Sequence, residues 1–470
     1  MIFQSSASAS HADPIAPILF WVTLFFVFAV LGRYTAKRYS QPGVLGELIM
    51  GVVFGNFCYF LGIQLFVILR EGPVIYDVMK SLLQGIDLKL AISDTSLSLK
   101  AQDQYYLALA SSHGVDYLKV GYILDIFSRY GVIFLLFLVG VESSMEELKQ
   151  TGKTSFLVAI IGVVAPLILG IIVARLLFDS MAFSSDLFIG ATLCATSVGV
   201  TASVLKELGQ LRKRETHIIL GAAMIDDILA LFLLSLVCGI VVSGHLEFWH
   251  LIQVLVSSIL FFIITLAFGP RLVNKTILSL KGFTPSESKL ITSFIFMMMF
   301  AWLATIVNLA AIVGAFAAGL ILNDQDFEDK YSCHIKSIHD ILSPMESILA
   351  PLFFMLIGIQ VKLETFLSVK VILLSVALII AAIIGKLVSA FVVPKKYDRL
   401  LVGFGMTPRG EVGLIFASVG RTFGVLSDDV FSALTMMIIV TTMLMPPVLR
   451  WRIQSTQQRI PADYPQDPAK

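Results

Sequence analysis

Hydrophobic residues run through this chain in long blocks separated by shorter polar stretches. The blocks fall at about 15–32, 42–67, 121–141, 154–178, 184–205, 217–242, 248–268, 289–307, 309–322, 344–361, 366–393, 398–420 and 429–449. About twenty apolar residues carry a helix through the hydrocarbon core of a bilayer, so the pattern predicts an all-α polytopic membrane protein with 13 transmembrane helices. One stretch breaks the rhythm. Across 71–117, Asp77, Lys80, Asp87, Lys89, Asp94, Lys100 and Asp103 interrupt apolar patches too short to span, which predicts an extramembrane insertion with one or two amphipathic helices.

Two blocks are built wrongly for continuous helices. In the fifth, Ala195-Thr196-Ser197-Val198-Gly199-Val200-Thr201-Ala202-Ser203 puts hydroxyls, β-branched residues and a glycine inside the apolar run. In the twelfth, Gly403, Gly405, Pro408, Gly410 and Gly413 fall together with Arg409 and Glu411. Broken helices at membrane depth persist only where protein or a watery cavity satisfies the freed backbone groups, and transporters place ions at such half-helix ends. The two blocks stand seven apart in order, an odd offset that reverses orientation. Spans 2–6 and 9–13 are therefore expected to form inverted repeats with two discontinuous helices crossing.

Charges inside the apolar blocks are the candidate chemistry. The sixth block holds Met224-Ile225-Asp226-Asp227-Ile228, and a carboxylate at mid-bilayer costs about 2.5–3.5 kcal/mol. Neighbouring residues on a helix point about 100° apart, so the two acids should face different partners, one a cation of the protein and the other a cation in passage. The eleventh block holds Gly385-Lys386, and this lysine either pairs with one of the acids or snorkels towards the nearer interface. Glu47, near the start of the second block, either lines a cavity or sits at the interface.

Bulk properties narrow the field. At 470 residues, 57% hydrophobic and 14% charged, the chain is too apolar for a soluble protein, and its mean hydropathy is +0.88. A net charge of +1 argues against nucleic acid as a partner. Cys58, Cys194, Cys238 and Cys333 show neither disulfide nor metal spacing, and no phosphate-binding loop indicates a nucleotide partner. No cofactor is expected. Arg33, Lys37 and Arg38 follow the first block, and with the N-terminus outside, the basic residues gather on the cytoplasmic side, which predicts an N-out, C-in topology.

Taken together, Ala195-Thr196-Ser197-Val198-Gly199, Ile225-Asp226-Asp227, Phe353-Phe354-Met355-Leu356-Ile357-Gly358, Gly385-Lys386 and Gly405-Met406-Thr407-Pro408-Arg409-Gly410-Glu411-Val412-Gly413 resemble the monovalent cation/proton antiporters, specifically the NapA-like Na+/H+ antiporters. Residues 42–51 and 137–142 fit as well. The resemblance implies the NhaA/NapA-like fold, a homodimer, and a lipid-embedded protein of the bacterial inner membrane serving pH homeostasis. Its organisation would be an extracytoplasmic segment at 1–14 and scaffold or dimerisation helices 1–3 at 15–141, insertion included. Core helices 4–6 would follow at 154–242, a linker helix at 248–268, scaffold helices 8–10 at 289–361, core helices 11–13 at 366–449 and a cytoplasmic tail at 450–470. Asp227 would be the principal Na+ ligand, with Asp226, Thr196 and Ser197 beside the ion and Asp226 paired to Lys386. Arg409 and Glu411 would compensate half-helix dipoles and each other. The insertion is longer than that pattern leads one to expect.

The activity implied is secondary exchange of Na+, with Li+ as a further candidate, for H+ by alternating access, and not an enzymatic reaction. A rival is a K+/H+ antiporter or Kef-type K+ efflux protein, though such proteins typically show Gln-Asp at the position of Asp226-Asp227 and carry a nucleotide-binding domain not expected after about Trp451. An ion or pH sensor is a second rival, for which the short tail offers no output module. His217, His334 and His339 are the histidines placed to tune activity with pH.

Overall fold

The computed structural model of the chain describes residues 13, 15–39, 41–72, 74–95, 97, 99–142, 152–177, 182–197, 201, 204–205, 210, 213–243, 248–280, 282–307, 309–325, 327 and 336–457. All regular structure among them is helical. Among the described residues, ten helices are long and apolar enough to cross a membrane. These are α1 (Ala16–Arg38), α2 (Gly43–Phe60), α7 (Gly114–Glu142), α8 (Lys153–Leu177), α10 (Arg214–Ser243), α11 (Phe248–Ser279), α12 (Pro285–Ile306), α14 (Ile338–Gln360), α15 (Val369–Ser389) and α18 (Asp428–Gln457). The remaining spans expected from the sequence contain shorter helices, α9 (Phe183–Cys194), α13 (Ala311–Ile321), and α16 (Arg399–Gly405) followed by α17 (Glu411–Thr422).

Several boundaries differ from the hydropathy blocks, each for a local reason. The second block does not run to Val67. Its helix stops at Phe60, Gly62 turns through a left-handed φ of 76°, and α3 (Gln64–Arg70) starts anew. Helix α7 begins at Gly114, seven residues before its apolar block, because Asp116 and Lys119 are compatible with a helix although not with a membrane interior. Helix α11 continues through Pro270 to Ser279, and α18 continues past the 449 boundary, so the expected tail begins inside a helix. There Arg452 Nε lies 2.9 Å from Asp398 Oδ2 and Nη2 lies 3.0 Å from Oδ1, while Leu449 and Ile453 remain buried. Most of the expected segment 1–14 and residues 458–470 lie outside the described residues.

The insertion is more structured than one or two amphipathic helices. Helices α4 (Val74–Leu83), α5 (Leu88–Ser93) and α6 (Leu99–Leu109) enclose a small core of Val74, Ile75, Val78, Ile92, Tyr105 and Ala108, against Ile68 and Leu118. Apolar residues at helical spacing, Val74, Ile75 and Val78, supply the inward face of α4.

Helix packing sorts the spans into two groups. In one, α7 packs on α13 and α14, α2 on α1 and α14, and α12 on α13. In the other, α8 packs on α9, α10 and α15, while α18 packs on α15, α16 and α17. Helix α11 touches α10 on one side and α12 and α13 on the other. Glycines set the tightest crossings. A Cβ on Gly358 would stand 2.3 Å from Leu48 O, and one on Gly51 would stand 2.3 Å from Met355 O, so α2 and α14 meet backbone to backbone. Because neither backbone can yield locally, Gly358→Ala is expected to destabilise the protein by about 1–3 kcal/mol, the usual range for overpacking. The check is the thermal unfolding midpoint in detergent, with Gly282→Ala, where an added Cβ meets nothing within 4 Å, as the unshifted control.

Candidate cation site at two interrupted helices

The fifth span stops being helical at Cys194. Ala195 turns extended at φ −57°, ψ 133°, Thr196 and Ser197 follow without helical structure, and Thr201, Val204 and Leu205 are helical again. Residues 198–200 lie outside the described residues. The twelfth span breaks between α16 and α17, across residues 406–410. Pro408 cannot donate to a helical ladder and disfavours α geometry at Thr407, and Gly410 adopts φ −140°, ψ −135°, so the chain has strong local reasons to unwind here.

The two breaks hold each other. Ser197 N–H donates to Pro408 O at 2.9 Å, Thr196 Oγ1 to Met406 O at 3.2 Å, and Thr201 Oγ1 to Gly405 O at 2.7 Å. Each carbonyl left without a helical donor costs about 1–3 kcal/mol if buried alone, and these bonds avert that cost. Gly410 permits the approach, since a Cβ there would lie 2.6 Å from Ser197 Oγ.

Arg409 is buried and serves the same backbone. Its Nη1 donates to Met406 O at 3.2 Å and Thr407 O at 2.7 Å, and its Nη2 to Ala382 O at 3.2 Å. A cation on the last carbonyls of α16 opposes the negative end of that half-helix. Glu411 is the first residue of α17; its expected pairing with Arg409 concerns a side chain outside those described. The sequence reading missed Thr442, whose hydroxyl donates to Arg409 O and to Ile438 O, although the polar pair Thr441-Thr442 within an apolar block was a usable signal. It also missed Gly162, where an added Cβ would lie 3.4 Å from Lys386 Nζ, so α8 leaves room for the lysine head.

Asp226 and Asp227 lie near the middle of α10, which packs against α9, α16 and α17, the helices flanking both breaks. Lys386 Nζ stands 2.9 Å from Asp226 Oδ1, and both side chains have no exposed surface. The lysine therefore does not snorkel. Asp226 Oδ2 has no hydrogen-bond partner among the described residues, and Asp227 beside it is 6% exposed. Cys194, at the end of α9, donates its thiol to Val163 O and Gly190 O. Thus Asp226, Lys386, Thr196, Ser197 and Arg409 all lie buried in the α8–α10 and α15–α18 group. Glu47 stands elsewhere, near the start of α2 and fully buried, with Arg33 Nε 2.5 Å from its Oε1, and so is not part of this centre. His217 and His339 are exposed, and His334 lies outside the described residues.

Chemically, the arrangement offers hard oxygen donors and buried titratable groups in one place. Such oxygens can accept either a monovalent cation or a proton.

Known proteins resemble this chain along most of its length. The high-affinity Na+/H+ antiporter NhaS3 of Synechocystis sp. is 31% identical over 444 residues, covering 93% of this chain and 90% of that protein. The Na+/H+-K+ antiporter GerN of Bacillus cereus is 30% identical over 329 residues, 69% of this chain and 82% of its own length. Among solved structures, the sodium proton antiporter MjNhaP1 of Methanocaldococcus jannaschii superposes with a TM-score of 0.58 at 14% identity, covering 94% of this chain and 98% of that one, which establishes a shared fold. The family described as "Sodium/hydrogen exchanger, transmembrane" matches residues 24–452, a span that contains both breaks, the Asp pair and Lys386. The chain therefore belongs to the transmembrane sodium/hydrogen exchangers.

Proposed function

We propose that this chain exchanges Na+ for H+ across the membrane by alternating access, with Asp227 as principal Na+ ligand and Asp226, Thr196 and Ser197 beside the ion. The observation that carries the reading is the buried Asp226–Lys386 pair with Asp227 next to it on a helix packed against two interrupted spans. Na+ is a hard cation that takes oxygen ligands, and the carboxylate that binds it is also the one that binds a proton, so occupancy by one excludes the other. As Na+ arrives, Asp227 is ionised and Asp226 releases Lys386. As Na+ leaves, protons reload and the pair re-forms.

In this reading α8–α10 and α15–α18 are the moving core, and α1, α2, α7 and α12–α14 form a scaffold that dimerises with a second copy. Helix α11 links the two. The short helices α9, α13 and α17, with the unwound residues beside them, complete thirteen crossings, N-terminus outside and C-terminus inside a bacterial inner membrane. The lysine- and arginine-rich segments, Arg33 to Arg38 among them, support that orientation.

Dye-quench assays in everted vesicles with Na+, Li+ and K+ test the substrate. Proton movement driven by Na+ and not by K+ is expected; movement driven by K+ alone would transfer the assignment to K+/H+ exchange, a reading kept alive by the likeness to GerN. With two titrating groups for one Na+, each cycle moves net charge, and the membrane potential contributes about 2.3 kcal/mol per charge per 100 mV. The reversal potential in proteoliposomes is accordingly expected to shift with an imposed voltage. Insensitivity to voltage would show one-for-one exchange.

A further inference from the structure

At the end of the bundle where α14 and α17 finish, an ion cluster ties the insertion to both helix groups. Lys362, in the turn between α14 and α15, places Nζ 2.8 Å from Glu71 Oε1 and 2.5 Å from Asp428 Oδ2. Arg421, on the last turn of α17, reaches Gln360 Oε1 at 3.1 Å with Nη1, and Asp428 Oδ1 at 2.9 Å and Arg70 O at 2.7 Å with Nη2. Two cations and two carboxylates balance. Behind them the anchor is firm: Arg70 is buried, stands 3.8 Å over the Tyr59 ring and donates to Glu364 Oε2 at 2.5 Å, while Asn56 Nδ2 donates to Val361 O at 2.9 Å. Gly72, at φ 57°, lets the insertion pass against Gln360, where a Cβ would lie 2.9 Å from its amide carbon.

We propose that the cluster of Lys362, Asp428, Glu71 and Arg421 is a latch between the two helix groups that opens and closes in each transport cycle, with the insertion as its fixed jaw. The proposal rests on the reading that α15–α18 move against α7 and α14. Contacts within each group are backbone crossings at glycines, such as Gly51 on Gly358 and Gly170 on Gly190, which cannot slide without separating the helices. Contacts across the groups at this end run through side chains of Lys362 and Arg421, which can swing away and return, and Asp428 is 39% exposed, so water can replace its partners. Beside the latch a cavity of about 360 Å³ separates Asp125 and Ser128 on α7 from Ile415 and Thr422 on α17, leaving space for the end of α17 to move. The insertion, unexplained by the transport site, thereby acquires a use: Glu71 holds the lysine that holds the core.

The test uses the full chain with its four native cysteines replaced, carrying Lys362→Cys with Asp428→Cys. Tethering the pair with a reducible bis-methanethiosulfonate is expected to lower cation-driven proton exchange at least tenfold, with recovery on reduction. The pair Arg33→Cys with Glu47→Cys, within one group, serves as a control that leaves exchange unchanged when tethered. Full exchange in the tethered Lys362/Asp428 pair would overturn the latch. A second readout does not depend on the cation. Amide hydrogen exchange of residues 421–428 is expected to rise about fivefold or more in Lys362→Gln and to stay near wild type in Lys362→Arg. Equal protection in Lys362→Gln and wild type also refutes the latch, whereas an untethered protein that moves no Na+ but shows this change would refute the substrate assignment alone.

Discussion

Asp227→Asn is expected to abolish Na+-driven proton movement while leaving the protein folded. Asparagine has nearly the shape of aspartate, and the site lies inside a well-packed helix bundle, so expression, gel-filtration profile and thermal midpoint are expected to stay close to wild type. The chemistry does not survive. An amide gains no proton in the working pH range, and its carbonyl offers a dipole where Na+ needs an anionic oxygen. Loss of one charged partner in a site shielded from water is worth about 3 kcal/mol, roughly a hundredfold in affinity. Because the same group also carries a proton in the proposed cycle, the exchange assay should read zero within its noise, not a shifted half-saturation. Asp226→Asn separates the two acids: it removes the counter-ion of buried Lys386, so its first effect should be on stability. Retained Na+ exchange in Asp227→Asn would move the ligand assignment to Asp226, whose Oδ2 is already without a hydrogen-bond partner among the described residues.

The two carboxylates were legible in the sequence because each violates a rule that the surrounding residues obey. A charge in an apolar run has to be explained, and the runs themselves gave the spans. The interruption at the twelfth span was equally plain, since Pro408 and the glycines around it forbid a continuous helix. Beyond the Asp226–Lys386 pair, what the pattern could not supply was partnership. Nothing in the spacing says that Ser197 N–H meets Pro408 O, or that Thr442 turns to the Arg409 carbonyl, because both are long-range contacts set by how spans cross. Helix ends were misplaced where polarity and helicity part company. Asp116 and Lys119 end a membrane-compatible run but not a helix, and Gly62 ends a helix inside a run that hydropathy joins. The insertion defeated the reading for a third reason: its helices bury only a narrow apolar face against one another, a signal diluted by their length of six to eleven residues. Its tie through Glu71 to Lys362, and from Lys362 to Asp428, becomes visible only when the ends of α3, α14 and α17 are brought together.

Lys386 supplies the second large effect, and its substitutions distinguish a structural ion pair from a working one. In Lys386→Met, Asp226 faces a buried space without its counter-ion. Removing one partner of a buried pair costs about 3–5 kcal/mol if the other stays charged, so Asp226 either destabilises the core by that amount or holds a proton throughout the cycle. In both cases the pair no longer titrates. One proton site then remains against one Na+, and exchange becomes electroneutral: in proteoliposomes clamped by a potassium gradient and ionophore, the reversal condition should follow the ion gradients alone, where wild type adds a voltage contribution. Lys386→Arg is the informative companion. Arginine keeps the charge opposite Asp226 but is never deprotonated in a protein, so it should restore thermal stability relative to Lys386→Met and yet fail to restore voltage-coupled transport. Gly162 leaves room beside the lysine head, but a Cβ there would already lie 3.4 Å from Nζ, so the larger guanidinium must fit the space between α8 and α15, and the thermal midpoint reports whether it does. If Lys386→Arg transports with full voltage dependence, the pair is a structural tie and the second proton travels elsewhere. If both variants fold and both lose voltage coupling, the second proton exchanged against Na+ is carried at the Asp226–Lys386 pair.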